Sequence, residues 1–217
     1  MHPASPAYSH RGLDVLKALA GRKALRLDTA AFYFLRHGET EGNRTRRVQP
    51  ADIPLNETGR AQAEQAARIL AGQPIQRIQR ILASDMARAW TTAGIVAGSL
   101  DLPVASEPRL RERWFGDHVG RSSLDLDWAA DPPNGETLSG FIDRVCDGAA
   151  AALAHPERTL LVSHGGVLHV LLAALGIATR PEHIANAAPL LFEREGGAWR
   201  VTPLMPDAGP VPAGSLS

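Results

Sequence analysis

The stretch Ala31-Phe32-Tyr33-Phe34-Leu35-Arg36-His37-Gly38 runs from five consecutive apolar residues straight into a basic pair and a glycine. A short apolar run of this kind reads as a strand buried on both faces, the sort that builds a parallel sheet. Groups just past the carboxyl end of such a strand face the crevice where open α/β sheets bind ligands, so His37 is predicted at a reactive mouth. A neutral imidazole is a good nucleophile toward phosphorus, and a neighbouring guanidinium such as Arg36 can hold a phosphoryl group by two parallel hydrogen bonds. Gly38 is expected to let backbone come close to that group.

Outward from this strand, further strand-like runs at 78–83, 159–163, 189–194 and 198–203 alternate with helical patterns, the signature of a layered α/β domain. Ala63, Ala66, Ala67 and Leu70 share one helix face, with Asn56 as N-cap and Gly72 as stop. Leu138, Phe141, Ile142, Val145, Ala149 and Leu153 form a second stripe behind Thr137, with Pro156 ending the helix. A third helix, opening near Gly166, is apolar nearly all round and belongs in the interior. Residues 120–135 show no period and read as a loop.

The chain divides into an N-terminal extension (1–30), one domain (31–205) and a Pro/Gly/Ala/Ser-rich tail (206–217) expected to be flexible. Leu13, Leu16, Leu19 and Ala20 recur at helical spacing, predicting a short helix packed on the domain. The alternative for that segment is a transit peptide; interspersed Asp14 and Asp28 argue against a secretory signal.

With 23 basic and 23 acidic residues no overall field draws in nucleic acid or an anionic membrane, so any phosphate affinity must be local. Cys146 is the single cysteine, which excludes an intrachain disulfide, and no zinc-type Cys/His spacing occurs. The most apolar helix, from Val167 to Ile177, is too short to span a bilayer. These features predict a soluble cytoplasmic protein without cofactor or metal, acting on a small molecule as monomer or homodimer.

Three more segments join the first: Ser84-Asp85-Met86-Ala87-Arg88-Ala89-Trp90-Thr91-Thr92-Ala93, Leu110-Arg111-Glu112-Arg113-Trp114-Phe115-Gly116 and Leu160-Leu161-Val162-Ser163-His164-Gly165-Gly166. With Arg36-His37-Gly38 and the stretch from Asp52 to Ala63, they make the chain resemble the histidine phosphatase superfamily, the phosphoglycerate mutase-like enzymes, over residues 31–203. The resemblance implies a three-layer α/β/α sandwich with a mostly parallel central sheet. It implies that His37 attacks phosphorus and becomes a phosphohistidine, that Arg36 and Arg88 clamp the phosphoryl oxygens, and that His164 is a further phosphate ligand. Gly165 is expected to add a backbone donor at a helix N-terminus. Asn43 and Gln49 match polar phosphate contacts, and Glu112, beside the apolar Trp114 and Phe115, matches the general acid. Arg44, Arg46 and Arg47 are either ligands for a second anionic group or a solvated loop, and Glu136 is expected to support a helix start or the site from outside.

Where many relatives read Gly-Asp-Trp-Glu-Gly, this chain has Gly116-Asp117-His118-Val119-Gly120, which alters the expected shape of the substrate site. The interval from Glu112 to His164 holds one helix and one strand and leaves little for a lid. An open site favours hydrolysis over return of the phosphoryl group to product. The expectation is therefore a metal-independent phosphomonoesterase, with a phosphoglycerate mutase-type enzyme or a non-catalytic phosphate-binding module as alternatives.

Overall fold

The computed structural model describes residues 10–72 and 78–205, so the expected flexible tail lies outside the described residues. Six strands, β1 (Ala31–Arg36), β2 (Arg80–Ala83), β3 (Val104–Ser106), β4 (Thr159–Ser163), β5 (Pro189–Glu195) and β6 (Ala198–Pro203), form one sheet in the order β3-β2-β4-β1-β5-β6. The first four run parallel, while β5 pairs antiparallel with β1 and β6 antiparallel with β5. Among the described residues the α-helices are α1 (Leu13–Gly21), the single turn α2 (Glu41–Arg44), α3 (Glu57–Ala71), α4 (Ala87–Leu100), α5 (Leu138–Ala152) and α6 (Gly165–Ala174).

Alternation along β1 divides the core. Phe32 and Phe34 join Leu82, Leu161 and Phe192 under α1, α5 and α6, whereas Tyr33 and Leu35 join Ile81, Leu160 and Val162 under α3 and α4. Because both faces are covered, β1 and β4 are apolar at nearly every position, which is why the opening stretch reads as an unbroken run. This is the three-layer α/β/α arrangement with a mostly parallel sheet.

The capping residues act as the sequence predicts. The Asn56 side chain accepts from the Gly59 N–H and that of Thr137 from the Gly140 N–H. Helix α5 stops at Ala152, before Pro156 is reached. β2 begins at Arg80, two residues inside the expected run, and β3 was not predicted at all: Val104-Ala105-Ser106 is a half-exposed edge with no alternation to read. Residues 120–135 are irregular apart from a 3-10 turn at Ser123–Asp125. Among the described residues no helix is long and apolar enough to cross a membrane.

Helix α1 lies on α6 and α5, burying Leu13, Leu16 and Ala20 in the same cluster as Phe34. Replacing the fully buried Leu16 with Ala is expected to cost about 3 kcal/mol through lost transfer energy and the cavity left behind, read as a lower urea midpoint at unchanged slope.

Candidate active site

The site starts from the pairing of β1 with β4. Arg36 stands opposite Ser163, and the His37 N–H donates to the Ser163 carbonyl at 2.9 Å, so the next residues along, His37 and His164, emerge abreast with ring centroids 5.2 Å apart. Nδ1 of His37 lies 2.8 Å from the Gly38 carbonyl oxygen, which can only accept; Nδ1 therefore carries the proton and Nε2 the free lone pair. Burial, then the charges of Arg88 and Arg36, hold its pKa well below 6.5, so the ring is neutral. His164 is also fully buried and held neutral by the same influences, burial first.

Three polar atoms around this pair are buried without a partner: Nε of Arg36, Nε of Arg88 and Nδ1 of His164. The rest of each side chain is anchored. Arg36 Nη1 donates to the Ile184 carbonyl at 2.5 Å, Arg88 Nη1 to the Pro50 carbonyl at 2.9 Å, and His164 Nε2 shares a hydrogen bond of 2.8 Å with Ser84 Oγ. Arg88 sits in the first turn of α4, 2 % exposed, with its pKa lowered by burial to about 10, so it stays cationic at neutral pH. An unsatisfied buried hydrogen-bonding group costs about 1–3 kcal/mol. An anion with several acceptor oxygens placed among these groups would relieve that cost.

Arg36, His37, Asn43, Gln49, Arg88 and Glu112 all line one cavity of about 310 Å³. Asn43 is the third residue of α2, whose N-cap Thr40 fixes both amides: the Thr40 N–H donates to Asn43 Oδ1, and the Thr40 hydroxyl lies 2.7 Å from Gln49 Oε1. With their oxygens engaged, both side chains keep N–H donors for the cavity. His164, beside His37, does not line the cavity. Gly165 opens α6 against the Arg36 guanidinium and does not line the cavity either. Gly38 differs from its expected role. Its N–H is taken by Thr92 Oγ1 at 3.1 Å, and the close approach it permits is to the backbone of Gly59 in α3.

Glu112 arrives on the loop after β3, and its carboxylate accepts two backbone N–H groups, from Arg113 at 3.0 Å and from Gly166 at 2.9 Å. A side chain at Gly166 would overlap Glu112 Oε1 and come within 2.7 Å of Trp128 Cη2. The expected apolar neighbours are half right: Phe115 lines the cavity, but Trp114 is 45 % exposed, with its indole N–H donating to the Asn134 carbonyl, and Trp128 takes its place. Glu136 supports the site from outside. It pairs with Arg144, which donates to the carbonyls of Arg109, Arg111 and Glu112 and so holds the acid-bearing segment.

Of the three loop arginines, Arg44 is tied to Glu41 and lies away from the cavity, while Arg46 and Arg47 reach its rim. Sequence reasoning gave no site role to Ser84, Asn186, Gly166 or His10. Ser84 lay inside a quoted motif, whereas Asn186, which donates to the His37 carbonyl at 2.9 Å, carries no motif signal. Among the described residues no group of three or more His, Cys, Asp or Glu side chains could hold a metal ion, and the cationic groups lining the cavity are guanidiniums.

A neutral imidazole, buried guanidiniums and a carboxyl thus surround one void, a set of groups with the charge and hydrogen-bonding chemistry to take a tetrahedral anion. Residues 32–204 match the profile of the histidine phosphatase superfamily (branch 1), and the chain belongs to that family. It is 38 % identical over 183 residues to agropine synthesis reductase of Rhizobium rhizogenes, covering 78 % of this chain but only 41 % of that protein. It is 35 % identical over 185 residues to the adenosylcobalamin/alpha-ribazole phosphatase of Salmonella typhimurium, covering 77 % of this chain and 87 % of the relative. The fold resembles the solved structure of a putative alpha-ribazole-5'-P phosphatase from Escherichia coli, with TM-score 0.68, 26 % identity and coverage of 82 % and 96 %.

Two outcomes follow from the geometry. His37 and His164 would titrate near 6.5 when unfolded, but the folded site holds both well below that value, and His169 on α6 is pushed down to about 3. Below pH about 6.5 the unfolded chain binds protons that the folded chain refuses, so stability is full above that pH and falls as pH drops toward the folded-state values. His164→Asn should flatten this slope in denaturant titrations compared at pH 7.5 and 5.5. Separately, Gly166→Ala should displace the Glu112 carboxyl while leaving the fold intact, so turnover of substrates with poor leaving groups should fall much more than the melting temperature does.

Proposed function

We propose that this chain is a metal-independent phosphomonoesterase that works through a phosphohistidine on His37. The observation that supports the reading is that Arg36 and Arg88, each with a buried unpaired Nε–H, line one cavity with a neutral His37 whose lone pair the Gly38 contact assigns to Nε2. Nε2 of His37 attacks phosphorus, the P–O bond to the leaving group breaks, and protonated Glu112 gives its proton to the departing oxygen. The Glu112 carboxylate then takes a proton from water, whose oxygen attacks phosphorus. The P–N bond breaks, releasing inorganic phosphate and a neutral His37.

The guanidiniums stay charged throughout, and their role is to meet the charge on the equatorial oxygens in both transition states. The absence of a long insertion between Glu112 and His164 favours water over return of the phosphoryl group to product. The names of the Salmonella and Escherichia proteins point the same way, toward a phosphatase acting on a small phosphorylated metabolite.

His37→Ala is expected to lower turnover of an aryl phosphate by several orders of magnitude in the presence of a chelator that leaves the wild type active. It should also abolish the phosphorylated His37 peptide trapped by alkaline quench and mass spectrometry. Glu112→Gln should slow an alkyl phosphate about 100-fold and an aryl phosphate, which needs little protonation, far less. Equal loss on both substrates would remove Glu112 from the acid role, and phosphoglycerate isomerisation outrunning phosphate release would replace the hydrolase by a mutase.

A further inference from the structure

One wall of the cavity includes a residue from outside the family-matched region. His10, from the segment before α1, lines it together with Leu124 and Leu126 of the irregular loop. The segment is sewn to that loop at successive positions: the Trp128 N–H donates to the Arg11 carbonyl at 2.8 Å, and Arg11 Nε pairs with Asp127 at 3.1 Å. Gly12 completes the junction. It adopts φ +73°, and a Cβ there would overlap Asp127 Oδ1 and the Ala129 backbone nitrogen. Behind it, α1 is fixed by Leu13 and Leu16 in the core, so His10 is held from both sides.

We infer that His10 recognises the group esterified to the phosphate, and that the preferred leaving group is an uncharged, hydroxyl-bearing one such as a sugar or polyol. This rests on the phosphomonoesterase reading above. His10 presents its imidazole to the cavity, burial lowers its pKa below 6.5, and a neutral imidazole offers one donor and one acceptor nitrogen. A hydroxyl on the leaving group, which both donates and accepts, suits either nitrogen. Leu124 and Leu126 beside it offer a carbon skeleton apolar contact and offer a second anion nothing. The guanidiniums that could attract such an anion stand at the exposed rim, where Arg47 is already tied to the Gly120 carbonyl at 2.7 Å.

The test compares sugar phosphates, ribose 5-phosphate and glucose 6-phosphate, with phenyl phosphate. His10→Ala is expected to lower kcat/KM on the sugar phosphates about 5- to 10-fold, the worth of one neutral hydrogen bond, mainly through KM, and to change phenyl phosphate less than 2-fold. His10→Gln, which keeps an acceptor, should recover most of the loss. Gly12→Val, which lifts the segment off the loop, should reproduce the pattern of His10→Ala. Calorimetry with non-hydrolysable phosphonate analogues of ribose 5-phosphate and of phenyl phosphate reads the same selectivity without turnover. Selective weakening of the sugar phosphonate by His10→Ala supports the assignment even if no ester is hydrolysed, an outcome that would defeat the hydrolase reading alone. Equal losses on both classes, or none on either, overturn it.

Discussion

The register between β1 and β4 is the constraint from which the site follows. Setting Arg36 opposite Ser163 places the two residues that come next, both histidines, side by side at the carboxyl edge of the sheet. The side-chain period of a strand is two, so a slip of one residue would send Phe34 into the layer now holding Leu35 and part the imidazoles at the same stroke. Burial on both faces makes that slip costly, since every residue from Ala31 to Leu35 is inside. Ser163 extends the constraint to the acid. Its carbonyl accepts the His37 N–H, and its hydroxyl donates to the Leu110 carbonyl at 2.7 Å, two residues before Glu112. One strand end thereby fixes both imidazoles and the start of the segment that carries the carboxyl.

The electrostatics of that arrangement are unfavourable until an anion arrives. Arg36 and Arg88 repel one another and both act on the two imidazoles, and Glu112 is the carboxylate that interacts favourably with both guanidiniums. Burial resolves the conflict in the only inexpensive way, by keeping His37 and His164 uncharged. The same burial keeps His37 a neutral imidazole with a free lone pair, so the fold's answer to self-repulsion is also what the proposed chemistry requires. The nitrogens left unpaired on Arg36, Arg88 and His164 are held in place by Ile184, Pro50 and Ser84 on their other atoms, so they are pre-arranged rather than free to find partners elsewhere.

Legibility in the sequence tracks how local the physics is. β1, β4, α3 and α5 were readable because burial writes an apolar period and capping writes Asn56 and Thr137 into the chain. The residues at the cavity were readable because each sits at the end of such an element, Arg36 and His37 after β1 and Arg88 at the start of α4. What escaped depends on approach between distant segments. β3 is a short edge with one half-buried side chain, and nothing in three residues distinguishes it from a loop. Trp128 covers Glu112 where Trp114 was expected because Arg113, fully buried, donates to the carbonyls of Trp128 and Ala130 and draws that loop inward. Gly166 has no left-handed backbone to advertise it; it is glycine because a carboxylate 54 positions earlier in the chain occupies the space.

The two halves of the cavity are built differently, and the difference has a chemical sense. The half around His37, Arg36 and Arg88 rests on strand ends and helix starts, whose positions are set by the core. The other half rests on residues 120–135 and the segment before α1, which touch each other through a backbone hydrogen bond and one exposed ion pair. A phosphoryl group has the same shape in every monoester, whereas the esterified group differs from one substrate to the next. Rigid elements are suited to the constant part, where a displacement of an ångström is paid in rate, and loops to the variable part, where change must be tolerated without loss of the fold. Anchoring the loop half through α1 gives it definition without entangling it with β1 and β4. The wall formed by His10, Leu124 and Leu126 can therefore change while the register that positions the imidazoles stays fixed.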